Sequence, residues 1–198
     1  SEKNNSSLFM LSKNLKLKFI EHKNYIGGRY SVLSEVGMLP AFLMGLNLKK
    51  FRKNLKVYLK GKEKFFLKDS AIILSNILLN KKINNLIFLN YMPRLNKFLF
   101  WLQQLISESL GKQGKGFLPM ISNMPKDHHS LLQLYLDGPN DKIFYIFSEE
   151  KRSNSKFRTR TFSNEIKFLK NKSLYQIKDS QRNALVKVFK KKKFLSEN

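Results

Sequence analysis

Short apolar runs alternate along the chain with longer stretches in which apolar residues recur every three or four positions. The run Leu86 to Leu89 is continuous, which is typical of a strand buried on both faces. Alternation of apolar residues with lysines predicts a strand at 15–21, and short apolar runs predict strands at 117–121 and 143–147. Helical spacing predicts helices from near Ser31, over 70–79, from Pro93 to Gly111, over 127–136 and over 173–192. This alternation predicts an α/β fold, a three-layer sandwich with a mostly parallel sheet flanked by helices.

Three polar clusters follow or precede the predicted strands, and we expect their loops to lie where such sheets bind ligands, beyond the carboxyl ends of the strands. The first is Gly27-Gly28-Arg29-Tyr30-Ser31. Its glycines would let a backbone approach a ligand closely, and Arg29 is a fixed cation suited to an oxyanion or a phosphate. A turn followed by a surface arginine has the same pattern, so the cluster alone decides nothing.

The second cluster is Glu108 with the glycine-rich loop 111–116. Glu108 falls in the last turn of its predicted helix, where the negative end of the helix dipole disfavours a charged carboxylate. Such a group suits the taking and returning of a proton, although an ordinary exposed acid would look the same. The loop is not a nucleotide-binding loop, because Gly116-Phe117 stands where a Lys-Ser or Lys-Thr pair is required.

The third cluster contains two adjacent histidines, His128 and His129, after Asp127. Adjacent residues on a helix point about 100° apart and rarely bind one ion together. No third ligand has a suitable spacing, so we predict no metal site. One histidine at the start of a helix instead suits acid-base chemistry or a capping hydrogen bond.

The composition limits the class of protein. The chain has 38 Lys and Arg against 14 Asp and Glu, a net charge of +24, which fits either a basic nucleic-acid-binding protein or a solvated basic surface. The charge is mostly lysine, which favours the second. With 42% hydrophobic residues, global disorder is excluded. The lack of cysteine excludes disulfides and predicts a reducing compartment, the cytoplasm. No apolar segment is long enough to span a membrane.

Three segments, in the same order, resemble blocks of the glucose-6-phosphate isomerase family. They are IGGRYSVLS from Ile26 with Val36-Gly37, WLQQLISESLGKQGKG from Trp101 and KDHHSLLQLYLDGP from Lys126. The similarity covers roughly residues 15–147. It implies a sugar-isomerase (SIS) type, Rossmann-like fold. It also implies the interconversion of glucose 6-phosphate and fructose 6-phosphate in glycolysis and gluconeogenesis, through an enediol and without metal or organic cofactor.

The resemblance also implies a role for each site residue. Glu108 stands where the family's glutamate moves a proton between the first two sugar carbons. Arg29, with Gly27 and Gly28 beside it at the substrate, matches the arginine that stabilises the enediolate. His129 matches the histidine that assists ring opening and reaches in from the neighbouring subunit, so a homodimer is expected.

Some features depart from the family pattern. His128 stands where many members have glutamine, and neither the family's Ser-Lys-Thr phosphate loop nor its closing Gln-x-Gly-Val-Glu-x-x-Lys segment is found. We therefore expect a central-to-C-terminal portion of an isomerase, one SIS-type domain over 1–198 with a basic helical tail from about residue 151. Such a portion should have little or no activity alone. The alternative is a non-catalytic SIS domain that binds a phosphosugar without converting it.

Overall fold

The protein is described by a computed structural model over residues 6–80, 82–149 and 164–192. The chain divides into two compact units, Ser1–Ile72 and Ile73–Asn198. The described part of the first unit is helical, and the second unit contains the sheet. The prediction of one SIS-type domain over 1–198 stays a prediction.

Among the described residues, five α-helices begin in the first unit, and the last of them continues into the second. They are α1 (Ser7–Asn14), α2 (Glu35–Leu43), α3 (Leu48–Arg52), α4 (Leu55–Lys60) and α5 (Glu63–Leu79). A 3-10 helix, Gly28–Leu33, precedes α2, where the sequence predicted a helix from near Ser31. The helix predicted over 70–79 is the second part of α5.

The strand predicted at 15–21 is wrong. The side chain of Ser6 accepts a hydrogen bond from the Phe9 amide and starts α1, which closes at Leu15. Lys16 then takes a left-handed conformation, with φ of 52°. Leu15 and Leu17 are 58% and 60% exposed, so their alternation with lysines faces no sheet.

The second unit is built on three parallel strands in the order β2-β1-β3. They are β1 (Asn85–Asn90), β2 (Leu118–Asn123) and β3 (Lys142–Phe147). Asn90 at the end of β1 lies opposite Asn123 and Phe147, so all three carboxyl ends share one edge. The central strand is buried from Leu86 onward, as its apolar run predicted.

Helices cover both faces of this sheet, which confirms the predicted three-layer α/β architecture. The helices are α6 (Asn96–Leu110), α7 (Asp127–Ser130), α8 (Leu132–Asp137) and α9 (Leu174–Lys191). Ile87 and Leu89 face one side and pack in a cluster with Phe189 of α9. Leu86 and Phe88 face the other side and pack with Leu99 of α6.

Two further predictions concern helices of this unit. The helix predicted over 127–136 is divided at Leu131, whose φ is −124°, into α7 and α8. The helix predicted over 173–192 is confirmed as α9, which starts at a capping box formed by Ser173 and Gln176. Because Phe189 is buried, this part of the basic tail is a core element. Residues 150–163 and 193–198 of the tail lie outside the described residues.

In the described part of the chain, no helix is both long enough and apolar enough to cross a membrane.

Candidate functional site

Glu108 is an exposed residue in the last turn of α6. The side-chain amide of Gln104, one turn earlier, donates to Glu108 Oε1 over 2.8 Å and orients the carboxylate. The helix begins after the carboxyl end of β1 and runs back along the sheet, because the Gln103 amide reaches the Pro119 carbonyl near the start of β2, at 2.6 Å. Glu108 therefore lies at the amino edge of the sheet, and the carboxyl edge predicted from the sequence is wrong for it.

The loop 111–116 joins α6 to β2 and lies at the same amino edge. Gln113, Gly114 and Gly116 all have positive φ angles, of 54°, 68° and 138°. A Cβ atom on Gly116 would come within 3.0 Å of the Gly111 Cα, so only glycine fits. The glycines thus let the chain turn tightly beside Glu108, and the loop brings two lysines, Lys112 and Lys115, into the turn.

His129 lies on α7, which follows β2 at the carboxyl edge, as the sequence predicted. The side chain of Asp127, 9% exposed, fixes this short helix to the strand. Asp127 Oδ2 accepts from the Asn123 amide at 2.7 Å and from Ser122 Oγ at 3.1 Å, and Oδ1 accepts from Ser130 Oγ at 3.2 Å. His129 itself is exposed.

The variant Asp127→Ala is expected to lower the free energy of unfolding by about 2–3 kcal/mol, because it leaves buried donors at the end of β2 without their acceptor. Ser130→Ala is the matched control. It removes only the longest of the three hydrogen bonds, so we expect a loss of about 1 kcal/mol or less. Urea unfolding measures both, and an Asp127→Ala loss no larger than that of the control would contradict the anchoring role.

A second histidine on α7 is paired with a buried tyrosine. The hydroxyl of Tyr91, which directly follows β1 and is 3% exposed, lies 2.7 Å from His128 Nε2. Burial raises the pKa of Tyr91 to about 12 and lowers the pKa of His128, so both side chains are neutral at pH 7. The sequence analysis missed Tyr91. Its only signal is an aromatic residue placed directly after a buried strand.

Glu108 and His129 of one chain lie at opposite edges of the sheet. The strand β2, from Leu118 to Asn123, runs between the two edges. At about 3.3 Å per residue, its length separates them by roughly 16 Å. Within one chain, the two residues are therefore set apart by about the length of β2.

Arg29 belongs to the first unit. It is half-buried in the 3-10 helix Gly28–Leu33, with its guanidinium carbon 5.9 Å from the ring centre of Tyr30. Ser31 Oγ donates to the Gly28 carbonyl at 2.8 Å and stabilises the turn. A Cβ atom on Gly28 would meet no atom within 4 Å, and its φ lies outside the left-handed range. The space at the Gly28 Cα is therefore open.

The loop before Gly27 is held by His22, which the sequence analysis missed. His22 Nε2 lies 2.9 Å from the Ile26 carbonyl, and Nδ1 lies 3.0 Å from Glu35 Oε1 in the first turn of α2. Hydrogen bonds from its own backbone amide and from His22 lower the pKa of Glu35. The two side chains are thirteen residues apart, and no pattern in the sequence indicates the pair.

In the described ranges, no three His, Cys, Asp or Glu side chains are grouped as a metal ion requires. The three predicted catalytic residues belong to two units. Glu108 and His129 are in the second unit, and Arg29 is in the first.

Comparison with known proteins finds relatives that carry the name glucose-6-phosphate isomerase. It is 33% identical over 155 residues to a glucose-6-phosphate isomerase of Methanocaldococcus jannaschii, covering 76% of this chain and 36% of that protein. It is 30% identical over 203 residues to the one of Mycoplasmopsis pulmonis, covering 96% and 46%. The chain belongs to the glucose-6-phosphate isomerase family. No protein-family model matches it.

A third relative agrees with this family membership, and a solved structure shares the fold. The glucose-6-phosphate isomerase of Acholeplasma laidlawii is 34% identical over 158 residues, covering 78% of this chain and 37% of that protein. The crystal structure of a hypothetical protein from Thermus thermophilus superposes with a TM-score of 0.76 at 24% identity, covering 96% of this chain and 48% of that one. That likeness shows the fold. This family member spans between about a third and half of the relatives' length.

Proposed function

We propose that the chain carries the proton-transfer chemistry of a glucose-6-phosphate isomerase, which interconverts glucose 6-phosphate and fructose 6-phosphate. The observation that carries the proposal is Glu108, an exposed and oriented carboxylate beside a tight glycine loop that holds two lysines. The names of the relatives support the same reaction. The reaction is a step of glycolysis and gluconeogenesis, and a chain without cysteine suits the cytoplasm, where we place it.

In the proposed reaction, Glu108 acts as the base on the open-chain sugar. Its carboxylate removes the proton from C2 of glucose 6-phosphate, and the C2–H electron pair forms the C1–C2 double bond of an enediol. The same carboxyl group then returns a proton to C1, while the hydroxyl proton moves from O2 to O1, which gives fructose 6-phosphate. The sugar phosphate neither gains nor loses atoms or electrons overall, because C1 is reduced as C2 is oxidised. The hydrogen bond from Gln104 holds the carboxylate in one orientation between the two carbons.

Arg29 supplies positive charge for the enediolate in this proposal. A guanidinium fixed beside the developing oxyanion stabilises it more in the transition state than in the ground state. The open space at the Gly28 Cα would let the sugar oxygens approach the backbone closely. Gly27, which precedes this turn, is extended, with φ of −61° and ψ of 147°.

His129 would open the sugar ring in the site of a second chain. A homodimer is supported by the separation of Glu108 and His129 across the sheet, since a substrate that needs both groups must take them from two chains. The exposure of His129 supports the same arrangement, because a residue that acts on a neighbouring subunit must be accessible at the surface.

Two alternative functions can be separated from the isomerase by binding assays. A non-catalytic domain would bind fructose 6-phosphate without converting it, so calorimetric titration together with a turnover assay separates it from an enzyme. A basic nucleic-acid-binding protein would bind duplex DNA at low salt and lose affinity steeply as salt rises. Failure to bind DNA at low salt would remove that function.

The variant Arg29→Ala tests the isomerase assignment directly. We expect kcat for fructose 6-phosphate, read with a coupled dehydrogenase, to fall by about 10²-fold, which is typical for the loss of one group that stabilises an oxyanion. Arg52→Ala is the matched control, because it removes an exposed arginine at the end of α3 in the same unit. Equal rates in the two variants would contradict the role of Arg29.

A further inference from the structure

The hydrogen bond between Tyr91 and His128 connects two strand ends on the carboxyl edge of the sheet. Tyr91 itself is fixed on several sides. Its amide donates to the Phe147 carbonyl of β3 at 2.9 Å, and its own carbonyl accepts from Lys178 Nζ of α9 at 3.0 Å. Its ring lies in the buried cluster that contains Leu185 and Phe189. The phenol hydroxyl therefore has a defined position, given by β1, β3 and α9 together.

The direction of this hydrogen bond follows from the protonation of the two side chains. Because the buried phenol keeps its proton and the imidazole is neutral, the stronger arrangement has the hydroxyl donating to the more basic Nε2 atom. His128 then carries its own proton on Nδ1. This is the less common tautomer of a neutral histidine, and it has a distinct nitrogen signature in NMR spectra.

The turn that carries His129 is anchored through the two residues before it. Asp127 binds the end of β2 through the Asn123 amide, and His128 binds the residue after β1 through its ring. His129, the next residue, is exposed. Two anchors on neighbouring strand ends restrict both the position and the rotation of a four-residue helix that has few internal hydrogen bonds of its own.

We propose that Tyr91 is a positioning residue, which through its hydrogen bond to His128 holds α7 in the orientation that presents His129 at the surface. The role of His129 rests on the proposed isomerase function. The positioning itself does not, because it concerns the conformation of the chain without substrate.

The proposal is tested by NMR spectroscopy of the full chain. In the unmodified chain we expect the His128 nitrogens to show the Nδ1–H tautomer. In Tyr91→Phe we expect that signature to be lost and the amides of residues 128–131 to exchange with solvent at least about tenfold faster, relative to the amides of β1. The matched control is Tyr135→Phe, which removes a phenol hydroxyl from the same buried cluster and leaves the Tyr91–His128 hydrogen bond in place.

A second pair of variants separates positioning from simple packing. His128→Gln keeps an acceptor for the phenol in its amide oxygen, so we expect exchange at 128–131 within about threefold of the unmodified chain. His128→Leu keeps the bulk without an acceptor and should behave like Tyr91→Phe. The proposal is overturned by unchanged exchange in Tyr91→Phe, by an equal rise at the β1 amides, or by equal behaviour of the two His128 variants.

Turnover of fructose 6-phosphate is measured in the same samples. We expect Tyr91→Phe to lower kcat by about tenfold with an unchanged KM, since misplacement of a catalytic group reduces the rate more than ground-state binding. Absence of turnover in the unmodified chain would bear on the proposed function only. The NMR comparison would still decide whether Tyr91 positions α7.

Discussion

Replacing Glu108 by glutamine is expected to lower kcat for isomerisation by about 10³-fold, because the amide cannot take a proton from carbon and return it. The substitution keeps the size of the side chain and its ability to accept the hydrogen bond from Gln104. Fructose 6-phosphate should therefore bind with nearly unchanged affinity. The coupled assay measures the rate, and calorimetric titration measures the binding.

Glu63→Gln is the control for this substitution. Glu63 is an exposed carboxyl group in the first turn of α5, so its loss changes the net charge by the same amount without touching the proposed base. We expect full activity from it. A Glu108→Gln chain that kept a substantial part of the activity would show that another group moves the proton, and would contradict the role of Glu108.

A mixture of two inactive variants is expected to regain activity. Glu108→Gln and His129→Ala each lose one half of a site that two chains share. If equal amounts are mixed and allowed to exchange subunits, random pairing makes about half of the dimers mixed. Each mixed dimer has one site with an intact Glu108 from one chain and an intact His129 from the other. The mixture should therefore regain about a quarter of the activity of the unmodified chain.

The control for complementation pairs Glu108→Gln with a chain that carries both substitutions. No dimer in that mixture has an intact site, so no activity should return. Size-exclusion chromatography confirms that dimers have re-formed in both mixtures. If re-formed dimers of the two single variants stay inactive, Glu108 and His129 do not act across a subunit interface, and the argument from opposite sheet edges fails.

Much of the second unit is predictable because its elements carry strong local patterns. The continuous run Leu86 to Leu89 can only be satisfied in a strand covered on both faces, and β1 is that strand. The apolar stripe after Pro93 has the period of a helix and ends at a glycine, as α6 does at Gly111. Apolar runs and helical spacing are patterns of a few neighbouring residues, so the sequence alone shows them.

The wrong or missed predictions share a different cause. Each concerns a feature that depends on contacts between residues distant in the sequence. Leu15 and Leu17 alternate with lysines as in a strand, yet no strand pairs with them in the described residues, and the cap at Ser6 starts a helix instead. Glu108 lies at the amino edge because α6 is long enough to run back along the sheet. The pairing of Tyr91 with His128 depends on the parallel register of β1 and β2, which the sequence does not state.

The central claim is that Glu108 moves a proton through an enediol, and isotope exchange tests it most directly. Fructose 6-phosphate is incubated with the chain in heavy water, and NMR spectroscopy follows deuterium at C1 of fructose 6-phosphate and C2 of glucose 6-phosphate. A base that shares its proton with solvent predicts deuterium at both carbons, and none with Glu108→Gln. Conversion without any deuterium, or equal incorporation by Glu108→Gln, would contradict the claim.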